Sequence, residues 1–286
     1  MTLPDHDTQK HRGTKKKLPR CVVFKSMLLR TATLVVLALF LATPARADEI
    51  KVMTSGAFTE AYQQLVEQFQ KTTRHTVVTT YGASMGGAQD SIPVRLDRGE
   101  PVDVVILIDA ALEPLIKKGQ VVAASPVQLA RSMIGIAVQK GAPKPDISTI
   151  SALRQTLLQA KSIAYSASAS GTYVSTELFT RLGIAEQVRD KARRIESERV
   201  GAVVARGDAE IGFQQVSELL PIAGIDYVGL LPADVQQVSI ISAAIATQAT
   251  APSAAKALIE FLASPAAAAT IQKTGLEPIA RPTHQR

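Results

Sequence analysis

Apolar positions along the chain switch between two periods. Glu49 to Met53 reads as a short strand, and Tyr62, Leu65, Val66 and Phe69 then recur at helical spacing, a single apolar stripe. Thr76 to Tyr81 is rich in β-branched residues and predicts a second strand. Val102 to Ile108 is an apolar run of the kind expected where a strand is covered on both faces. Met133 to Val138 predicts another strand, and Ile163 to Tyr165, Ile211 to Phe213 and Ile225 to Val228 predict shorter ones. Ala255, Leu258, Ile259 and Leu262 mark a late amphipathic helix, and the alanine-rich stretch Ala266 to Ala269 reads as helix too. Strand and helix alternate, so the expected class is α/β, with mostly parallel sheets flanked by helices. Gly141-Ala142-Pro143-Lys144-Pro145 is a solvent loop, because proline lacks an N–H and fixes φ.

The strand around Met133 and the late strand Val238 to Ala246 are places where the chain can cross between two lobes. They divide it into a first part of lobe 1 (48–130), lobe 2 (131–238) and a return to lobe 1 (239–286). A single doubly wound domain is the alternative.

Residues 1–47 break the pattern. Basic residues crowd Lys10 to Arg30, an apolar run follows from Leu34 to Leu41, and Ala45-Arg46-Ala47 supplies small residues before Asp48-Glu49. That order predicts a secretory signal peptide cleaved after Ala47, and hence a periplasmic protein. The apolar run is far short of the ~20 residues of a membrane-spanning helix. A start at Met27 would leave a more ordinary leader.

The leader also accounts for the charge. The whole chain carries 32 basic and 25 acidic residues, a formal +7, but residues 1–47 hold nine of the former and two of the latter. The remainder balances at 23 of each, so the positive charge is no argument for nucleic acid as a partner. Cys21, the single cysteine, lies in the leader, and beyond it only His75 and His284 remain as histidines. With so few soft ligands, no zinc or iron site is expected, and no cofactor. No G-x-x-x-x-G-K-[ST] or G-x-G-x-x-G stretch is present, which leaves nucleotide binding without a motif; Gly82-Ala83-Ser84-Met85-Gly86 has the G-x-S-x-G spacing, but with only His75 and His284 as histidines beyond the leader, Ser-His-Asp hydrolysis is not expected.

Candidate chemistry lies instead in four small-residue junctions between strands and helices. These are Thr54-Ser55-Gly56-Ala57, Gly82-Ala83-Ser84-Met85-Gly86-Gly87, Ser166-Ala167-Ser168-Ala169-Ser170-Gly171 and Val200-Gly201-Ala202. Each alone is accounted for by capping and turns. Several helix starts converging on one cleft would hold an anion through unpaired N–H groups. The ligand-binding candidates are Ser55, Gly56, Ser84, Met85, Gly86, Ser168, Ser170, Gly171 and Gly201. Arg95, with a planar fork for a carboxylate, and Gln215, which with Gln214 ends a strand where ligands bind, complete the set, and Arg199, just before the fourth junction, is left outside it. Tyr81 and Tyr165 read as core.

The order and spacing of several short stretches resemble the molybdate-binding family of periplasmic receptors. They are the Ala57-Phe58-Thr59-Glu60-Ala61 helix start, the Ser84 loop, Pro101-Val102-Asp103-Val104-Val105, Gly171-Thr172-Tyr173 and the helix from Ala254 to Leu262. The resemblance spans nearly all of the chain after the leader and implies the two-lobed type II binding-protein fold. Ser84 falls where that family has a ligand-binding serine, and Ser170 and Arg199 fall where its backbone N–H groups bind the oxyanion. Ala57 stands where a second serine is expected and Gln215 replaces a tyrosine, so molybdate fits poorly.

Longer phrases resemble the bacterial aconitate isomerases, which share this fold. They are Ser84-Met85-Gly86 with Ile92-Pro93-Val94-Arg95-Leu96, the stretch from Gly141 to Ser148, Ala164-Tyr165-Ser166 with Ser168 to Gly171, and Val200 to Gly207 with Gly212 to Gln215. This resemblance implies a cofactor-free exchange of trans- and cis-aconitate. Moving the double bond needs a base, an acid and donors for the negative charge that gathers. Glu196 and Glu198 are candidate bases, and Ser84, Tyr165 and Ser170 candidate acids. The alternative is a non-enzymatic receptor that passes a small anion to an inner-membrane permease. On either reading the partner is a small anion, a polycarboxylate in preference, and the protein a monomer.

Overall fold

The computed structural model describes residues 47–196 and 198–279. Residues 1–46, which hold all but the last residue of the predicted leader and include Cys21, and His284 therefore lie outside the described residues. Their first elements are β1 (Glu49–Thr54), α1 (Thr59–Thr73), β2 (Thr76–Tyr81), α2 (Ile92–Asp97), β3 (Val104–Ile108), α3 (Asp109–Lys117) and the long β4 (Val127–Gln139). There follow α4 (Ile150–Gln159), β5 (Ile163–Ser166) and α5 (Ala169–Tyr173), which runs on through a π-helical turn into α6 (Phe179–Arg181). Next come α7 (Ala185–Val188), β6 (Ala192–Ile195), α8 (Val200–Ala205), β7 (Ile211–Gln215), α9 (Val216–Leu219) and β8 (Ile225–Leu230). The chain returns through β9 (Val238–Ile245), α10 (Pro252–Leu262), α11 (Pro265–Lys273) and the short β10 (Glu277–Pro278).

The strands run in the order β2-β1-β3-β9-β4-β7-β5-β6, with β8 and β10 also paired to β4. The outer trios β2-β1-β3 and β7-β5-β6 are parallel, as βαβ connections require. The long strands β9 and β4 run antiparallel to each other and to their neighbours. Each half of the sheet is therefore a parallel set closed by the two strands that join the halves.

Alternation explains the layers. On β3, Val104 and Ile106 enter one core with Tyr62, Leu65 and Phe69 of α1, while Val105 and Leu107 face Ile92, Leu112 and Leu115 on the other side. A strand buried on both faces reads as continuously apolar, which is why this one is plain in the sequence. The strand begins only at Val104. Asp103, inside the predicted run, is buried and accepts N–H groups from Lys51 (2.8 Å), Thr250 (2.6 Å) and Ala251 (3.0 Å). Burial alone would raise its pKa, but these hydrogen bonds together hold it below the usual carboxylate range.

β4 divides its side chains between cores. Leu129 and Ala130 pack with α1 and α10, whereas Ile134, Ile136 and Val138 pack with Leu153, Leu157 and Phe213. The first part of β4 pairs with β9 and the later part with β7 and β8.

Candidate functional site

The carboxyl ends of β1, β3, β5 and β7 open on a cleft of about 470 Å³, a size suited to a small molecule. Three of the four small-residue junctions line it: Ser55 to Ala57 after β1, Gly82 to Gly87 after β2, and Ser166 to Ala169 after β5. The fourth does not reach it, but Glu196, Glu198 and Arg199 just before that junction do.

Ser55, Gly56, Ser84, Met85, Gly86, Ser168 and Gln215 all lie on the cleft wall. Ser55 is buried, and among the described residues its Oγ has no hydrogen-bond partner. Ser84 is buried too, and its Oγ accepts the Ile108 N–H at 3.2 Å, which leaves the hydroxyl proton free to donate. Gly86 holds φ at +97°, a conformation that favours glycine, and Ser91 Oγ donates to its carbonyl at 2.9 Å. Ser166 Oγ sits 2.8 Å from Ser168 Oγ and 3.0 Å from Ser170 Oγ, so three hydroxyls form one chain leading inward from the wall.

Other candidates fall elsewhere. Ser170 is fully buried behind Ser166 and reaches the cleft only through it. Gly171 is a packing requirement, since a Cβ there would collide with the Ser166 carbonyl. Gly201 lies against Ile222, where a Cβ would come within 3.0 Å. Arg95 is off the cleft: its guanidinium pairs with Glu100 at 2.8 Å and its Nε donates to the Asp90 carbonyl. The reason is local, because Glu100 follows the short helix α2 closely and captures the fork. Gln215 reaches the wall, but its amide is already engaged, accepting from Ser132 Oγ (2.7 Å) and donating to Ser239 Oγ (3.4 Å). Tyr81 is exposed on the wall rather than in the core, whereas Tyr165 packs edge-on against Phe179.

The guanidinium on the cleft wall that spans its two sides is Arg199. It donates to Glu60 Oε1 from both terminal nitrogens, at 3.3 and 3.2 Å, and so links the start of α8 to the first turn of α1. Glu196 and Glu198 are both exposed and paired, with Arg194 at 3.2 Å and Arg206 at 2.8 Å. A hydrogen bond from Arg206 holds Glu198 below the ordinary range, the wrong direction for a base working near neutrality.

Sequence reasoning missed Glu218. It sits in α9, buried, with its carboxyl on the cleft wall and so close to Gly56 that a Cβ there would collide with it. Burial pushes its pKa up to about 7, against the opposing effects of Arg199 and a hydrogen bond from the Gln214 side chain. Gln214 is oriented by its other end, because its Oε1 accepts the Val200 N–H at 2.9 Å. The available signal was Gln214-Gln215 at a strand end, but nothing in Val216-Ser217-Glu218-Leu219 distinguishes a buried glutamate from one on a helix surface.

Known proteins are similar to this chain over most of its length. The family of bacterial extracellular solute-binding proteins matches residues 50–277. The chain is 44% identical over 258 residues to an aconitate isomerase of a Pseudomonas species, which covers 88% of this chain and 98% of that protein. It is 28% identical over 245 residues to the molybdate-binding protein ModA of Azotobacter vinelandii, covering 82% and 92% respectively. The solved periplasmic molybdate-binding protein of Azotobacter vinelandii superposes with a TM-score of 0.61 at 22% identity, over 82% of this chain and 100% of that one. The expected fold class, a two-part α/β binding-protein sheet flanked by helices, is the one found.

Proposed function

This chain belongs to the bacterial extracellular solute-binding proteins, and on that premise we propose that it captures a small polycarboxylate in the cleft and interconverts trans- and cis-aconitate. The observation that carries the proposal is the 44% identity to an aconitate isomerase, running over nearly the whole of that protein. The site's chemistry supports it. Ser55 and Ser84 offer hydroxyls, and Arg199 exchanges Glu60 for a ligand carboxylate. Ala57 has no hydroxyl and the Gln215 amide is engaged with Ser132 and Ser239, so two of the side-chain donors that a tetrahedral oxyanion would use are altered.

The reaction moves a proton across an allylic unit and needs no redox partner. Export through the leader would place the protein in the periplasm, as a monomer. Capture there follows the usual use of this fold, in which the two halves close on the ligand.

A second reading keeps capture and drops the chemistry. The identity to a molybdate-binding protein favours a receptor that hands an anion to an inner-membrane permease.

Incubating the exported form with trans-aconitate and following cis-aconitate by proton NMR, with heat-inactivated protein as control, tests the two. Catalytic appearance of the cis isomer is the expected result. Ligand-dependent shifts in the protein spectrum without conversion would favour the receptor, and tight molybdate binding with none for aconitate would overturn the isomerase reading and leave the receptor one.

A further inference from the structure

We propose that Glu218 is the group that carries the proton in this cleft, taking it from one end of a bound allylic polycarboxylate and returning it to the other, an assignment that rests on the isomerase reading above. Among the described residues, four carboxyl side chains line the cleft: Asp90, Glu196, Glu198 and Glu218. The first three are exposed, and Glu196 and Glu198 are also held in ion pairs with Arg194 and Arg206. Glu218 alone of the four is buried. Its carboxyl packs directly against the Gly56 backbone on the cleft wall, and the missing Cβ at Gly56 makes room for it.

A buried carboxylate is a poor feature for merely holding an anion, because the two charges repel at low dielectric. It becomes useful when its proton comes and goes. The charged and polar groups facing it are Arg199, whose partner Glu60 lies beyond, and the Gln214 amide. Because Gln214 Oε1 is committed to the Val200 N–H, its NH₂ end is the one left for Glu218, so Gln214 is a positioning residue. A pKa of about 7 lets the same carboxyl act as base and then as acid, and a proton that exchanges with water between the two steps is replaced by deuterium in D₂O.

The step balances with one carboxyl. Ionised Glu218 takes a proton from the methylene carbon of trans-aconitate, and the electron pair of that C–H bond becomes a new double bond to the central carbon. The original double bond opens toward the former vinylic carbon and its carboxylate, where Arg199 and the serine hydroxyls meet the growing charge. Protonated Glu218 then delivers the proton to that carbon. The ends of the three-carbon unit have exchanged roles, no net proton is gained or lost, and nothing is oxidised.

The test is the Glu218→Gln variant, with Glu218→Asp as a second. Turnover and KM are measured for trans-aconitate, and deuterium uptake into the substrate is followed in D₂O. The expected result is a fall in kcat of about 10²-fold or more, a KM within about threefold of wild type, loss of deuterium uptake, and partial recovery in Glu218→Asp. Retention of more than a tenth of wild-type kcat by Glu218→Gln overturns the assignment and leaves the isomerase reading intact. Deuterium uptake by wild type without conversion overturns the isomerase reading, and its loss in Glu218→Gln would still support Glu218 as the proton carrier. Binding by wild type with neither conversion nor uptake overturns both.

Discussion

Burial gives Glu218 a cost as well as a use. With a folded pKa of about 7 against an ordinary 4.5, the folded chain holds the proton over a range where the unfolded chain has lost it. Below pH 4.5 both states are protonated and the full stability is present. Stability falls as pH rises from there to about 7 and then levels off, a loss of at most about 3 kcal/mol. Glu218→Gln removes that loss, so its thermal midpoint is expected to match wild type near pH 4 and exceed it by roughly 6–12 °C at pH 8. A difference independent of pH would contradict the buried, titrating carboxyl. The arginines separate at the same scale. Arg199→Ala is expected to weaken polycarboxylate binding by about 2–5 kcal/mol by calorimetry, and Arg95→Ala, whose fork already holds Glu100, to leave it within error. The reverse order would put Arg95 at the ligand. Small residues at strand ends brought Ser55, Ser84 and Ser168 into the candidate set, and all three lie on the cleft wall. Glu218 was not legible, because its burial depends on Gly56, which is remote in sequence and meets it only in the fold.

Among the elements, those with one strong period were read correctly. β2 was expected over Thr76 to Tyr81 and is found there, and the α1 stripe packs as one face into the core. β4 was half seen. Its later part is apolar, but Val127 to Ser132 contains Gln128, Arg131 and Ser132, and a register shift between Gln128 and Ala130 interrupts its pairing with β9. A bulge breaks the two-residue alternation on which strand reading depends. α5 carries the sharpest constraint on the site's frame. Its first turn presses on the end of β5 at Gly171, and Ser166 there anchors the hydroxyl chain. Gly171→Ala is expected to cost about 1–3 kcal/mol through forced backbone displacement, read as a lower denaturation midpoint with weaker ligand binding. An unchanged midpoint would mean that this junction can yield.

At the scale of the whole molecule, the cleft is lined from both halves of the sheet, and among the described residues β4 and β9 are the strands that run between those halves. Gln215, Ser132 and Ser239 tie β7 to both strands at this junction. Arg199 and Glu60 span the cleft in parallel with that strap, so a ligand that takes Arg199 from Glu60 replaces one clasp with another. The strap has a further consequence, for the gene rather than for the site. Met133 and Val238 are direct antiparallel partners. Everything between them therefore leaves and rejoins the first half at a single point, like a clause in parentheses. A two-residue Asn-Gly turn could close Met133 onto Val238 as a hairpin. The buried residues of the two cores around β3 all lie outside the stretch so excised, and we propose that the second half is an insertion the reading frame can replace.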